Sequence, residues 1–93
     1  MDDGAPPVEE DFSSMPLSER LTHKNWKARV HGYEELIRVF QRTGSEDDPA
    51  FRPYIQNPDF LKRMIIDANV VAQEKGVEAV RTFVQYSGEY GAR

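Results

Sequence analysis

Ninety-three residues make one small domain or a piece of one, and a chain of this size buries a smaller share of its surface than a larger one does. The absence of cysteine excludes a disulfide framework, a thiolate nucleophile and a zinc-thiolate site; no apolar run approaches the roughly 20 residues of a membrane span and the amino terminus lacks the basic and apolar regions of a secretory signal, so a soluble intracellular protein is expected. The net charge of −4 conceals an asymmetry, because residues 1–19 hold six acids and no Lys or Arg while residues 20–93 sum to +2; a mildly basic body without a dense cationic cluster argues against nucleic acid and for an acidic protein partner.

Residues 1–15 combine Pro6-Pro7, Gly4, Ser13-Ser14 and the acids with few large apolar side chains, which predicts a flexible acidic tail. Pro16 suits a first helical turn, and Leu17-Ser18-Glu19-Arg20-Leu21 predicts a short helix that must lean on a neighbour. Thr22 to Asn25 breaks the pattern, with Asn25 as helix cap. From Trp26 the large apolar residues fall at Val30, Tyr33, Leu36, Ile37 and Phe40, one face of a helix running to about Arg42. Trp26, the only tryptophan, stands in its first turn; it can staple the helix end into the core or project as a contact residue, and the burial habit of large aromatics favours the core. Lys27 and Arg29 are expected on the exposed face, with Glu34, Glu35 and Arg38 on a solvated flank.

Gly44-Ser45-Glu46-Asp47-Asp48-Pro49 reads as an acidic linker, and Phe51, Tyr54 and Ile55 as a helical turn or two kept short by Pro53. Asn57-Pro58 then predicts a cap and a first helical residue for a third helix with Phe60, Leu61, Met64 and Ile65 on its apolar face, ending near Asp67. Ala68-Asn69 makes a second tight turn, after which Val70 or Val71, Val77, Val80, Phe83 and Val84 mark a fourth helix to about Tyr86, ended by Ser87-Gly88. An interior glycine costs roughly 1 kcal/mol against alanine, so Gly76 points either to a close helix crossing or to a tolerated residue.

The fold class that results is all-α: two antiparallel helical hairpins in tandem, the first over about 16–43 and the second over about 48–87. Trp26 and Val70 or Val71 hold the same place in each hairpin at a period of roughly forty residues, the spacing of HEAT-type repeats, which stack into an α-solenoid and align their turns along one edge. Chemistry has no candidate. His23 and His31 lack a third ligand, no phosphate-binding glycine loop, nucleophile elbow or carboxylate pair stands out, and neither metal, cofactor nor enzymatic activity is expected.

Two segments carry a resemblance. Pro16-Leu17 followed by His23-Lys24-x-Trp26-Lys27-Ala28-Arg29-Val30-x-Gly32-Tyr33-Glu34-Glu35, and then Asp67-Ala68-Asn69-Val70-Val71-Ala72-Gln73-x-Lys75-Gly76-Val77-Glu78-Ala79, closely resemble the start of the first TOG domain of chTOG-type microtubule polymerases. The resemblance covers residues 16 to about 86 and implies the first two of about six HEAT repeats in a flat paddle that binds curved αβ-tubulin along its edge of turns. It implies further that Trp26 is an exposed contact to β-tubulin with His23, Lys24 and Lys27 beside it, and that Asn69, Val70 and Val71 form a second contact turn on the same side. Lys24, Lys27, Arg29 and Lys75 would steer an acidic tubulin surface more than they add affinity. Residues 51–59, with Pro53 and Pro58, depart from the pattern by lengthening the approach to the third helix.

Two repeats alone are expected to bind weakly, and the uncovered end of the solenoid to self-associate or to let the fourth helix melt in part. The implied setting is cytoplasmic and cytoskeletal, at microtubule plus ends, spindle poles and kinetochores, with no membrane and no nucleic acid involved. Two other readings stay open: an adaptor of the same scaffold with a different acidic partner, and a purely structural four-helix fragment with Trp26 buried.

Overall fold

A computed structural model of the chain describes residues 12, 14–44 and 48–88. Among these, every regular element is helical: α1 Leu17–Leu21, α2 Trp26–Gln41, a 3₁₀ turn Pro49–Phe51, α3 Arg52–Gln56, α4 Asp59–Ile65 and α5 Val70–Ser87. The expected tail lies almost wholly outside the described residues, and so do residues 45–47 of the linker. Within the tail stretch residues 12, 14 and 15 are described, and Phe12 is buried.

The long helices begin where their caps dictate. Asn25 and Asn69 both have extended backbones and accept hydrogen bonds from the first turn of the helix that follows, from the Lys27 N–H at 2.9 Å and the Ala72 N–H at 3.0 Å. The third predicted helix starts differently from expectation. Pro58, not Asn57, precedes α4, and no side chain caps it; Pro58 instead turns the chain so that the Phe60 N–H reaches the Asn57 carbonyl at 3.2 Å. Gly88 ends α5 at φ 57°, a conformation that favours glycine.

α1 packs on α2, α4 on α5, and α2 on α5, giving the two tandem antiparallel hairpins of a HEAT-like pair. The hairpins repeat with a strict register. Arg20, His23, Asn25, Ala28 and Gly32 each lie 44 positions before Met64, Asp67, Asn69, Ala72 and Gly76. The glycines explain why: a Cβ at Gly32 would press on Leu21 and Arg20, and one at Gly76 would overlap the Met64 backbone, so each marks the point where a hairpin's two helices cross most closely. The crossing alternative for Gly76 is therefore the correct one.

The core runs from Leu21 through Tyr33, Leu36 and Ile37 to a knot of aromatic rings at the end remote from the turns. Phe40 is its centre, with ring centroids of Phe51, Tyr54 and Phe83 at 5.4, 5.5 and 5.6 Å, and its contacts with Tyr54 and Phe83 are edge-to-face. Burial among these rings pushes the Tyr54 phenol up to about 12. The 3₁₀ turn and α3, with Pro53 in its first turn, thus deliver Phe51 and Tyr54 to the core.

Gly76→Ala is expected to destabilise the fold by about 1–3 kcal/mol through overpacking, despite a helix-propensity gain of about 1 kcal/mol. Gly44→Ala, where an added Cβ meets nothing within 4 Å, serves as the control and should move the urea midpoint little.

Candidate functional site

The two intra-hairpin turns are tied together by one arginine. Arg29, in the second turn of α2, donates from Nε to Asp67 Oδ2 at 2.7 Å and from Nη2 to Asp67 Oδ1 at 3.0 Å, while its Nη1 donates to the His23 carbonyl at 2.7 Å. Tyr33, one turn further along α2, adds its hydroxyl to Asp67 Oδ2 at 2.8 Å, and the Asn69 N–H reaches Asp67 Oδ1 at 2.9 Å. A single guanidinium therefore fixes the first turn to the second. Arg29 was expected on an exposed helix face; its partner stands 38 positions away, so no local pattern reveals it.

The electrostatics follow from burial. Asp67 keeps only 3 % of its side chain exposed. Burial alone would raise its carboxyl, but hydrogen bonds from Arg29, the Asn69 amide and Tyr33, with the guanidinium charge, outweigh it and hold the group below the ordinary carboxylate range. The bond to Asp67 raises Arg29 further, and Tyr33 is raised by burial and then by donation to Asp67.

The turns are built by the same device. In each, a side chain two residues before the asparagine cap accepts that asparagine's N–H: Asp67 Oδ1 for Asn69, and His23 Nδ1 for Asn25, both at 2.9 Å. Between the turns lies an open cleft of about 370 Å³, walled by Thr22, His23 and Lys24 on one side and by Arg63, Asp67 and Ala68 on the other, with Arg29 and Tyr33 at its base.

Around this edge the residues singled out from sequence fall as follows. Lys24 and Lys27 are exposed and His23 is half-buried. Trp26 is half-buried: it leans on the core cluster while its ring carries the Lys27 Nζ at 5.9 Å from the centroid. It is thus neither a core residue nor fully projecting. Asn69 caps α5, and Val70 and Val71 stand 67 % and 50 % exposed beside Ile66 at 62 %. Lys75 is not at the turns. It lies five residues into α5, within 3.3 Å of Glu78 on the same helix and 4.0 Å of Glu34 on α2, both pairs partly exposed.

Other side chains depart from their expected roles. Glu35, expected on a solvated flank, accepts a charge-assisted hydrogen bond from Arg20, which is 3 % exposed. His31 presents Nδ1 to Arg20 Nη1 at 3.0 Å and packs on Phe12. Asp67, Arg20 and Phe12 escaped the reading of the sequence. The 44-residue register is the signal that could have found two of them, since it sets Arg20 on the core position of Met64 and Asp67 on the turn position of His23.

No group of three metal-ligating side chains occurs among the described residues. None of their helices is long and apolar enough to cross a membrane.

A family model described as XMAP215/Dis1/CLASP, TOG domain, matches residues 11–93. The chain belongs to this family. It is 41% identical over 81 residues to the protein mini spindles of Drosophila melanogaster, covering 87% of this chain and 4% of that protein. It is 35% identical over 79 residues to the spindle pole body component alp14 of Schizosaccharomyces pombe, covering 85% of this chain and 10% of that protein, and 29% identical over 75 residues to the protein MOR1 of Arabidopsis thaliana, covering 81% and 4%. The chain thus spans a small part of the length of these relatives. No solved structure matches it. The TOG match begins at residue 11 and so takes in Phe12 together with both turns.

Asp67→Asn in this TOG segment is expected to cost about 2–3 kcal/mol at pH 7, the scale of hydrogen bonds to a charged group. A carboxyl held below its free value stabilises the fold in full above the unfolded value of roughly 4 and loses that contribution as pH falls through the folded value. The stability gap between wild type and Asp67→Asn should therefore be flat from pH 7 to 5 and close below pH 4, as measured by urea denaturation.

Proposed function

We propose that the chain is a tubulin-binding segment of a microtubule polymerase, and that its edge of turns docks on the β-tubulin side of αβ-tubulin. The observation that carries this reading is the clamped edge in a TOG-family chain: exposed Val70 and Val71, half-buried Trp26 and exposed Lys24 and Lys27 are offered along two turns locked by Arg29 and Asp67. Apolar residues at the middle of a contact and cations at its rim are the usual division between affinity and steering. In this reading Trp26, His23, Lys24 and Lys27 form the first contact, Asn69, Val70 and Val71 the second, and Lys75 steers the acidic partner from the margin of the edge. The mechanism is non-enzymatic: curved tubulin fits the edge, and straightening in the lattice weakens the fit and releases it.

The names of the relatives, mini spindles and a spindle pole body component, support a cytoskeletal setting at spindle poles, which the polymerase reading extends to microtubule plus ends and kinetochores. The outer face of α5 and α4, where Ile65, Val77, Val80 and Val84 line an almost wholly apolar groove, is the surface through which this chain self-associates when nothing else covers it. The second reading, an adaptor for another acidic protein, shares the mildly basic body and predicts no special dependence on Val71.

Val71→Glu is expected to weaken tubulin binding at least about tenfold, and Lys24→Glu to weaken it less and mainly at low salt, neither moving the melting temperature because both side chains are exposed. Trp26→Glu should weaken binding and also lower stability. Thermophoresis against tubulin at two salt concentrations checks this; a folded chain that binds tubulin with undiminished affinity after Val71→Glu hands the edge to the adaptor reading.

A further inference from the structure

The two contact turns share a design but not a chemistry. In the second turn the acceptor for the cap asparagine's N–H is the Asp67 carboxylate, which always accepts. In the first it is His23 Nδ1, which accepts only while that nitrogen carries no proton and the ring points inward. A half-exposed imidazole is not held to that state by its own backbone, because its tautomer and its second torsion are both free.

Phe12 supplies the restraint. Its ring lies 6.3 Å from the His23 ring and 6.1 Å from the His31 ring, edge-on to the latter, and is itself buried. Phe12 is in turn anchored: its carbonyl accepts the Met15 N–H at 3.0 Å, and the Met15 carbonyl accepts from the Nε of buried Arg20 at 3.0 Å. From Phe12 and His31 this geometry leads through Arg20 and Glu35 to α2, the helix that Trp26 opens.

We infer that Phe12 is a positioning residue for the first contact turn: it holds the His23 ring with Nδ1 toward the Asn25 N–H and so sets how Lys24 and Trp26 are presented. Its consequence for binding rests on the tubulin reading, whereas the geometry does not. Phe12 does for His23 what the fixed charge of Asp67 makes unnecessary in the second turn.

The test uses the 93-residue chain at pH 8, with long-range proton–nitrogen NMR of the histidine rings and hydrogen exchange of the Asn25 amide. Wild-type His23 should show a single tautomer with its proton on Nε2. Phe12→Ala should give a mixture of tautomers and about tenfold faster Asn25 exchange, the factor carried by one net hydrogen bond, while Phe12→Tyr should retain the wild-type state. His23→Asp installs the acceptor of the second turn, so Asn25 exchange should stay slow with either Phe or Ala at position 12. A wild-type His23 protonated on Nδ1 overturns the inference even if Phe12→Ala fails to fold. So does a folded Phe12→Ala variant with unchanged tautomer and exchange. In the same samples tubulin should bind Phe12→Ala several-fold more weakly than wild type; the expected ring states in a chain that never binds tubulin refute the tubulin reading alone.

Discussion

A carboxylate withdrawn from water must be matched by charge and by hydrogen bonds, or it costs several kcal/mol, and Asp67 is matched from three directions. That constraint organises the edge. Arg29 can satisfy Asp67 only if α2 and the second turn sit within the span of one guanidinium, and its remaining Nη1 then takes the His23 carbonyl of the first turn. The planar fork of arginine suits this task, where a lysine would reach one partner as a point charge. The spacing of the two turns is therefore tied to a hydrogen-bonded pair, whose contacts are more directional than apolar packing.

The apolar core does its work elsewhere. Phe40, Phe51, Tyr54 and Phe83 interlock at the far ends of α2 and α5, while the glycines at 32 and 76 let each hairpin close at its crossing. The pair of hairpins is thus fastened at one end by rings and at the other by the Arg29–Asp67 bond. The exposed residues of the turns are left to face a partner without unravelling the fold that carries them.

Much of this was legible in the sequence. Periodicity placed the four principal helices, Asn25 announced the start of one of them, the turn at Ala68-Asn69 marked the break before another, and the recurrence of Trp26 at Val70 exposed the tandem hairpins. The resemblance to TOG domains rested on the turns themselves. What stayed hidden was every interaction between distant positions: Arg29 with Asp67, Arg20 with Glu35 and Phe12 with His23. Charged residues on a helix look solvated until the element that faces them is known. An acidic tail likewise reads as a tail even when one aromatic within it is buried. Asn57 misled for a different reason, because the proline after it turned the chain before the asparagine could cap.

The central claim is that the two turns, held as one edge, are where this TOG segment meets tubulin. Hydrogen-exchange mass spectrometry of the chain with and without αβ-tubulin tests it most directly. The account predicts new protection confined to residues 22–27 and 66–71, with the aromatic end of the core unchanged; binding that instead protects α3 or the outer face of α5, and leaves both turns exchanging as they do in the free chain, would contradict it.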